Sequence, residues 1–406
     1  MIKHKIAILL FALFAVVGIT EAQGWISVQS VGVLPQNSAE ENRQHLQEAI
    51  DHMSPSGGVL YVEPTQGGYP MQGGIILRRN VTLWGAHGPT GRGTALLDRS
   101  GPTGSLFVIR DRENPFLTVE SATQVKGIQF YYPEQTWQDG NRIIAYPPTI
   151  CMATGQAVQG VTLSCLTFYG EYMAMDFRAK APHICEQILF EHCYGYPLSG
   201  QFIAIDRCYD VPRILHCHVN PANMREFRRS FKREVIDAVV RNKTYTYWID
   251  HTDNAQLMDL FTFGVYGGIY LGNETYGQLT NFNFDCVTLG IHKLGSQWKN
   301  RNWQIAQGSI IANVGDRIEE IHPILIEGKG HTSLTNVESF SGDNGALTTL
   351  GASWDYITVH DEATVTLTAC RMQGYKADNP MHISSGAYVQ AIGCFDSNNK
   401  VIVLPH

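Results

Sequence analysis

One short pattern recurs through most of the chain, and it limits the fold more than any other feature. It reads apolar, any residue, polar or small, apolar: Leu163-Ser164-Cys165-Leu166, Phe190-Glu191-His192-Cys193, Ile214-Leu215-His216-Cys217 and Leu257-Met258-Asp259-Leu260. It continues as Leu279-Thr280-Asn281-Phe282, Ile305-Ala306-Gln307-Gly308, Leu334-Thr335-Asn336-Val337, Leu367-Thr368-Ala369-Cys370 and Ala391-Ile392-Gly393-Cys394. The steps between first residues are 27, 24, 43, 22, 26, 29, 33 and 24. A spacing in that range is the signature of a repeat architecture. Strands are short, β-branched residues common, and helical periodicity scarce after residue 60, so the repeat predicts coils of a parallel β-helix. One coil cannot bury its own apolar face, whereas stacked coils share a continuous core. The expected fold is therefore all-β: a right-handed, single-stranded parallel β-helix of about nine or ten coils. The third position of the pattern becomes a column, and polar side chains stacked at one turn bond each other and the backbone. That places His192, His216 and Asp259 in a structural ladder rather than in a catalytic site.

Composition agrees with a globular solenoid: 44% of the 406 residues are hydrophobic, 17% charged, and there are 39 Gly. A formal charge of −7 argues against a nucleic-acid partner, since that role rests on neutralising phosphates with Lys and Arg. At the start, Lys3, His4 and Lys5 precede the apolar run Ile6 to Val17, and Thr20-Glu21-Ala22 supplies small residues at a cleavage site. The run is short for a membrane span, so residues 1–22 are expected to be a signal peptide and residues 23–406 the β-helix domain. The mature protein is then secreted or periplasmic, with no membrane span after cleavage. The nine cysteines are odd in number and irregularly spaced, which favours free buried thiols.

Before the repeat, Asn42 to Met53 reads as a short amphipathic helix, with Ser38 and Glu41 as a capping pair. It should plug the open N-terminal end of the solenoid, where exposed strand edges invite aggregation. The stretch from Gly32 to Gly85 resembles the N-terminal region of pectate-lyase-like β-helix proteins, a superfamily that includes glycoside hydrolase family 28. The residues that carry the resemblance are Gly32, Ala49-Ile50, Gly57-Gly58-Val59-Leu60-Tyr61-Val62-Glu63-Pro64, Tyr69 and Asn80-Val81-Thr82-Leu83-Trp84-Gly85. The acidic residues usual in the opening turn are replaced by Gln36-Asn37-Ser38. The catalytic motifs of family 28 are not reproduced: His251-Thr252-Asp253 only partly matches its Asn-Thr-Asp, and Gly330-His331 is followed by Thr332. The resemblance implies action on acidic or neutral polysaccharide, by hydrolysis or by elimination.

A second strand precedes each coil pattern, including Ala174-Met175-Asp176, Ala204-Ile205-Asp206, Trp248-Ile249-Asp250, Gly290-Ile291-His292, Leu325-Ile326-Glu327 and Thr358-Val359-His360. Strand alternation turns the middle residue inward and its neighbours outward. Aligning the motifs predicts an outward column of Asp176, Asp206, Asp250, Gly272, His292, Glu327 and His360. Adjacent members of such a column lie about 4.8 Å apart. Like charges that close resist joint ionisation, so Asp176, Asp206 and Asp250 are the candidate catalytic acids and bases of a glycosidase. The same three aspartates also suit a calcium ion, which takes several oxygen ligands, as in a lyase acting on uronates. No other cofactor is indicated.

Around them, His251 and Asp253 sit on the following turn and are candidates to bind sugar. Trp248, Tyr247 and Tyr270 are candidates to stack on sugar rings. Arg178, Lys180, Arg207 and Arg213 are candidate bases or substrate clamps, with His292 and Glu327 further along the column. The insertion from Asn220 to Tyr245 holds seven Lys or Arg against three acids between Met224 and Lys243. Helical spacing of Phe227, Phe231, Val235, Ala238 and Val239 predicts a basic helix that roofs the groove and steers an anionic glycan to it. The leading expectation is an exported polysaccharide-cleaving enzyme, most simply a glycoside hydrolase. A calcium-dependent lyase and a non-catalytic glycan-binding solenoid are the alternatives.

Overall fold

The computed structural model describes residues 24–86, 103–135, 143–221, 233–295, 302–312, 321–340, 355–373 and 380–404. The expected signal peptide, residues 1–22, and the first part of the basic insertion, residues 222–232, lie outside them. The chain winds into a right-handed parallel β-helix. One face is an eleven-stranded parallel sheet running from Ile75–Leu77 through Leu117–Val119, Ile150–Met152, Met175–Arg178, Ile203–Asp206 and Tyr245–Asp250. It continues through Gly267–Leu271, Leu289–Lys293, His322–Ile326, Ile357–Val359 and Met381–Ile383. That is more than the nine or ten coils expected, because the first two strands belong to coils that precede the one holding the first recognisable repeat at Leu163. The other faces are built from a second, twenty-stranded sheet.

The repeat motif marks a bend inside that second sheet. Its third position holds a left-handed backbone in every copy: φ is 54° at Cys165, 50° at His192, 56° at His216, 54° at Asp259, 53° at Asn281, 54° at Gln307, 52° at Asn336, 53° at Ala369 and 60° at Gly393. The column begins one coil earlier, at Gly127, whose φ is 66°. The backbone N–H at the bend bonds to the next coil, as from His192 to the Leu215 carbonyl at 3.0 Å. Side chains add to it: the His192 and His216 rings stack at 4.7 Å, and His216 Nδ1 lies 2.9 Å from Asp259 Oδ2. Asn281 Nδ2 donates to Asp259 Oδ1 at 3.3 Å. His192, His216 and Asp259 thus form part of the ladder, in the twenty-stranded sheet and outside the eleven-stranded one.

Inside, each position of the coil stacks on its equivalent. Leu83, Val125, Leu163, Phe190, Ile214 and Leu257 form one such buried file by direct register. All nine cysteines are free, and seven are buried. The cap helix spans Ala39–Met53, beginning three residues before the expected Asn42 because Ser38 is its N-cap. Ser38 and Glu41 form a reciprocal capping box. Leu46, Ile50 and Met53 are buried. Asn42 is buried too, and its amide donates to the carbonyls of Leu34 and Pro70.

The described part of the insertion is a helix, Arg233–Val240, shorter than the expected segment. Its Ile236 and Val240 pack with Phe263 and Tyr266, ahead of the strand Gly267–Leu271. It therefore docks at the opposite end of the strands from Asp250, and this part does not roof the carboxylates as expected.

Among the described residues, one buried position of the eleven-stranded sheet carries a lysine. Lys293 pairs with Leu271 and Ile326 on the neighbouring coils and is 2% exposed. The only described hydrogen bond of its ammonium goes to the carbonyl of Leu294, 2.7 Å away. Burial pushes its pKa down from 10.5 to about 8. Below pH 8 the amine is protonated in both folded and unfolded chains, and folding carries the full penalty of burying the charge. Between pH 8 and 10.5 only the unfolded chain holds the proton, so stability rises with pH. Lys293→Met should therefore stabilise the protein at pH 7 by roughly 3 kcal/mol, and the gain should shrink as pH approaches 10.5; denaturation midpoints across pH measure both.

The bend column gives a second prediction. Left-handed backbone costs an ordinary residue about 1–2 kcal/mol, least for Gly, Asn and Asp. Asn336→Val should lower the urea midpoint by an amount equivalent to about 1–2 kcal/mol, while Ala369→Gly should raise it.

Candidate functional site

The strand pairings fix which outward residues are neighbours. Asp206 stands directly opposite Asp250, as expected. Asp176 does not join them: it pairs with Ala204, and Arg178 takes the place opposite Asp206. His292 is displaced in the same way, lying opposite Tyr270 and Leu325. The outward face thus carries two parallel columns, two residues apart. One holds Arg178, Asp206, Asp250, Gly272, Leu294, Glu327 and His360; the other holds Asp176, Ala204, Trp248, Tyr270, His292, Leu325 and Thr358. The expected triplet fails because Met175 and Phe177 both point inward in one strand, and a motif of three residues cannot say which one aligns with Ile205.

His251 joins the two aspartates that remain. Its Nδ1 lies 2.8 Å from Asp206 Oδ1 and 3.5 Å from Asp250 Oδ1. Its backbone N–H donates to Asp250 Oδ1 at 3.0 Å. The turn after Asp250 makes this possible, since His251 takes a left-handed φ of 41° that swings its ring back across the strand ends. The side chains of Asp250, Asp206 and His251 are 15%, 21% and 29% exposed, so all three are accessible yet mostly shielded. Burial raises the proton affinity of Asp250 above that of an ordinary aspartate. The charge and backbone N–H of His251 oppose the rise, and the negative charges of Asp206 and Glu274 add to it. Asp250 leans over Gly272, where a Cβ would come within 2.3 Å of its Oδ1.

The neighbouring column supplies an aromatic floor. Trp248 and Tyr270 stack at 5.4 Å with their planes 6° apart. The Arg178 guanidinium lies 5.8 Å above Trp248, reaching over small Ala204. Arg178 also binds Asp176 with two hydrogen bonds, Nε to Oδ1 at 2.8 Å and Nη2 to Oδ2 at 2.6 Å. Asp176 is thereby a partner of Arg178, and the three aspartates do not face one another as the calcium cage expected of them. Tyr247 is not part of the floor: it is fully buried, and its hydroxyl donates to the carbonyls of Cys217 and Phe261.

Beyond Tyr270, both ring nitrogens of His292 are engaged. Nδ1 meets Tyr245 Oη at 2.6 Å and Nε2 meets Glu327 Oε2 at 2.6 Å. His292 and Glu327 therefore hold Tyr245 against Tyr270, 5.3 Å away, instead of presenting a free imidazole. Tyr245 was not legible as a site residue. Thr246 and Tyr247 are both buried, so the alternation slips at that point and brings Tyr245 to the outside.

Asp253 is hydrogen-bonded by the Tyr276 hydroxyl on the next coil, away from the Asp206–Asp250 pair. Arg207 sits on a left-handed turn residue, φ 55°, with its backbone N–H on the Asp250 carbonyl; it belongs to the turn rather than the groove floor. Arg213 lies in the other sheet, bonded to Gln256, and is remote from the groove.

No protein-family model matches the sequence, and neither does any curated protein. Solved structures do share the fold. The pre-mature bacteriophage phi29 gene product 12 aligns over 96% of this chain and 51% of its own, at 13% identity and a TM-score of 0.57. The N-terminal fragment of the same phage protein covers 97% and 76%, at 13% identity and a TM-score of 0.51. The Agl-KA catalytic domain covers 92% and 69%, at 10% identity and a TM-score of 0.50. The chain thus spans about half the length of the full phage protein it resembles. At these identities the likeness establishes the β-helix and nothing further.

Gly272→Ala tests the packing of the site. Its backbone is unstrained, so the β-helix should fold, but the new methyl must drive the Asp250 carboxylate aside and break its bond to the His251 N–H. A crystal structure of the variant should show that rotation; an unmoved Asp250 would contradict the arrangement.

Proposed function

We propose that the protein is an exported carbohydrate-active enzyme that hydrolyses a polysaccharide lying in the groove of the eleven-stranded sheet. A shared β-helix does not choose among functions, because function resides in sites carried by a fold. The reading rests on one observation: His251 bridges Asp206 and Asp250, two carboxylates of which one has a raised proton affinity. Paired carboxyls in unlike states are what glycoside hydrolysis requires, one to donate a proton and one to act while ionised.

The separation bears on stereochemistry. The two Oδ1 atoms cannot be farther apart than 2.8 Å and 3.5 Å laid end to end through His251 Nδ1. That falls short of the range of about 6.5–9.5 Å that leaves room for water in inverting enzymes, and admits the spacing of about 5–5.5 Å used by retaining ones. In this reading protonated Asp250 gives its proton to the glycosidic oxygen as the bond to the leaving sugar breaks. Asp206 attacks the anomeric carbon from the other side, positioned by its bond to His251. Water then releases the glycosyl group, with Asp250 taking the proton back. Trp248 and Tyr270 offer an apolar floor for a sugar ring beside the carboxylates. The resemblance of residues 32–85 to pectate-lyase-like chains points to the same substrate class.

Elimination with calcium is less well supported, since Arg178 occupies both oxygens of Asp176 and is itself tied down as a base. Digestion of a polysaccharide panel separates the readings. Hydrolysis produces reducing ends without ultraviolet-absorbing unsaturated products and is indifferent to chelator. Asp206→Asn and Asp250→Asn should each lower turnover by about 10²–10⁴-fold. Because Asp250 acts in its protonated form, the parental rate should fall as pH rises through its elevated pKa, and Asp250→Asn should lose that limb. Chelator-sensitive absorbance would instead establish elimination, and binding without cleavage on every glycan would establish a non-catalytic groove.

A further inference from the structure

A cleft of about 250 Å³ opens at the N-terminal side of the carboxylate pair. It starts on the strand that carries Arg178, one strand spacing of about 4.8 Å from Asp206. Pro115, Pro148 and Met152 contribute apolar wall, and the charged or titratable side chains in its lining, besides the Cys151 thiol, are Asp176, Arg178, Lys180 and His183. Its volume lies below the range of about 300–1,000 Å³ typical of drug-sized ligands, which suits one sugar ring of a longer chain. The charge within it is unbalanced. Asp176 and Arg178 neutralise each other through their paired hydrogen bonds, and the bond to Asp176 raises the proton affinity of the Arg178 guanidinium. Among the described residues, neither the Lys180 ammonium nor the His183 ring has a side-chain hydrogen-bond or ion-pair partner. Lys180 is exposed and His183 half-buried at the rim. The cleft therefore presents donors without acceptors of their own, beside an apolar wall.

We infer that this cleft is a subsite for an anionic sugar unit, in which Lys180 and His183 receive the carboxylate or sulfate of a ring adjoining the one that lies over Trp248 and Tyr270. The inference rests on reading the groove as a glycan site and adds the charge of the glycan. A neutral chain would leave the Lys180 ammonium without a counter-charge in the cleft. An acidic ring gives it a charge-assisted hydrogen bond, roughly twice as strong as a neutral one. The polymer then runs along the solenoid axis, across successive strands, with its acidic unit on the N-terminal side of the bond placed at Asp206 and Asp250.

The test is calorimetric binding of three oligosaccharides of equal length, one uronate-bearing, one sulfated and one neutral, to the Asp206→Asn protein. An acidic arm should bind on the order of tenfold tighter than the neutral one, and which arm does so identifies the anion. Lys180→Gln with His183→Gln, added together, should erase that advantage, bringing the acidic and neutral arms to the same affinity in the variant. Raising ionic strength should weaken the acidic arm alone, a check that needs no further variant. Equal affinity for acidic and neutral arms, or an advantage that survives the double substitution, overturns the inference. Cleavage by the parental protein reports separately on hydrolysis: acidic preference without cleavage keeps this subsite and removes the hydrolytic reading, and no binding by any arm removes both.

Discussion

Every feature of the molecule depends on a one-residue left-handed bend repeated in register along the second sheet. Strand stacking sets a spacing of about 4.8 Å between coils, but stacking alone permits slippage by two residues without exchanging inside for outside. The bend removes that freedom. A residue with φ near 54° at Asp259 must meet its equivalent at Asn281 and His216, or the backbone N–H at the turn loses its carbonyl on the next coil. The polar ladder through His192, His216, Asp259 and Asn281 adds side-chain bonds to the same alignment. Aspartate and asparagine tolerate left-handed backbone because a short polar side chain bonds locally. These residue types therefore recur at the bend for a reason that has nothing to do with catalysis.

The eleven-stranded sheet has no equivalent bend, and there the coils are free to differ. That freedom gives the groove its chemistry and made it hard to read. The repeat and its coil spacing were legible because the bend motif carries two constraints at once, apolar inward positions and a turn residue. The pairing of Asp206 with Asp250 was legible because both end their strands at the same point of the coil. Asp176 and His292 were misplaced by two residues each, since alternation has a period of two and Met175 serves as an inward residue as well as Phe177. The slip at Thr246 and Tyr247, which delivers Tyr245 to the groove, left no mark that alternation or composition records. The role of Gly272 was equally silent, because a missing side chain reveals what it makes room for only when its neighbour across the strand is known.

Displacement by two residues also explains how the groove divides its work. Two residues along a parallel strand span about 6.6 Å, so the aromatic column and the carboxylate column are separated by roughly the width of a ring. In the proposed enzyme Trp248 and Tyr270 would support one face of a ligand while Asp206 and Asp250 reach its edge. Arg178 belongs to both columns: its guanidinium lies over Trp248, binds Asp176, and stands opposite Asp206. Had Asp176 joined the other two aspartates, three like charges would have stood on adjacent strands, and Arg178 would have had no partner to hold it over the aromatic floor. The observed offset lowers repulsion and fixes the cation where it organises both columns.

A solenoid also determines the kind of ligand that can use such a site. Functional groups repeat along the axis at the strand spacing, so a compact molecule meets only one or two coils, whereas a linear polymer meets many. From the cleft at Cys151 and Asp176 to Glu327, the groove crosses seven strands of the sheet, which at about 4.8 Å per step is a path of roughly 29 Å. Along that path the side chains change from basic at Lys180 and His183, through the carboxylates at Asp206 and Asp250, to the tethered Tyr245–His292–Glu327 group. A uniform binding surface has no need of that sequence of unlike groups. The proposed hydrolase would need it, because the bond to be broken must be told apart from its neighbours in an otherwise repetitive chain. Anchoring an acidic unit on one side of Asp206 and Asp250 would set the register of the polymer, much as the bend column sets the register of the coils.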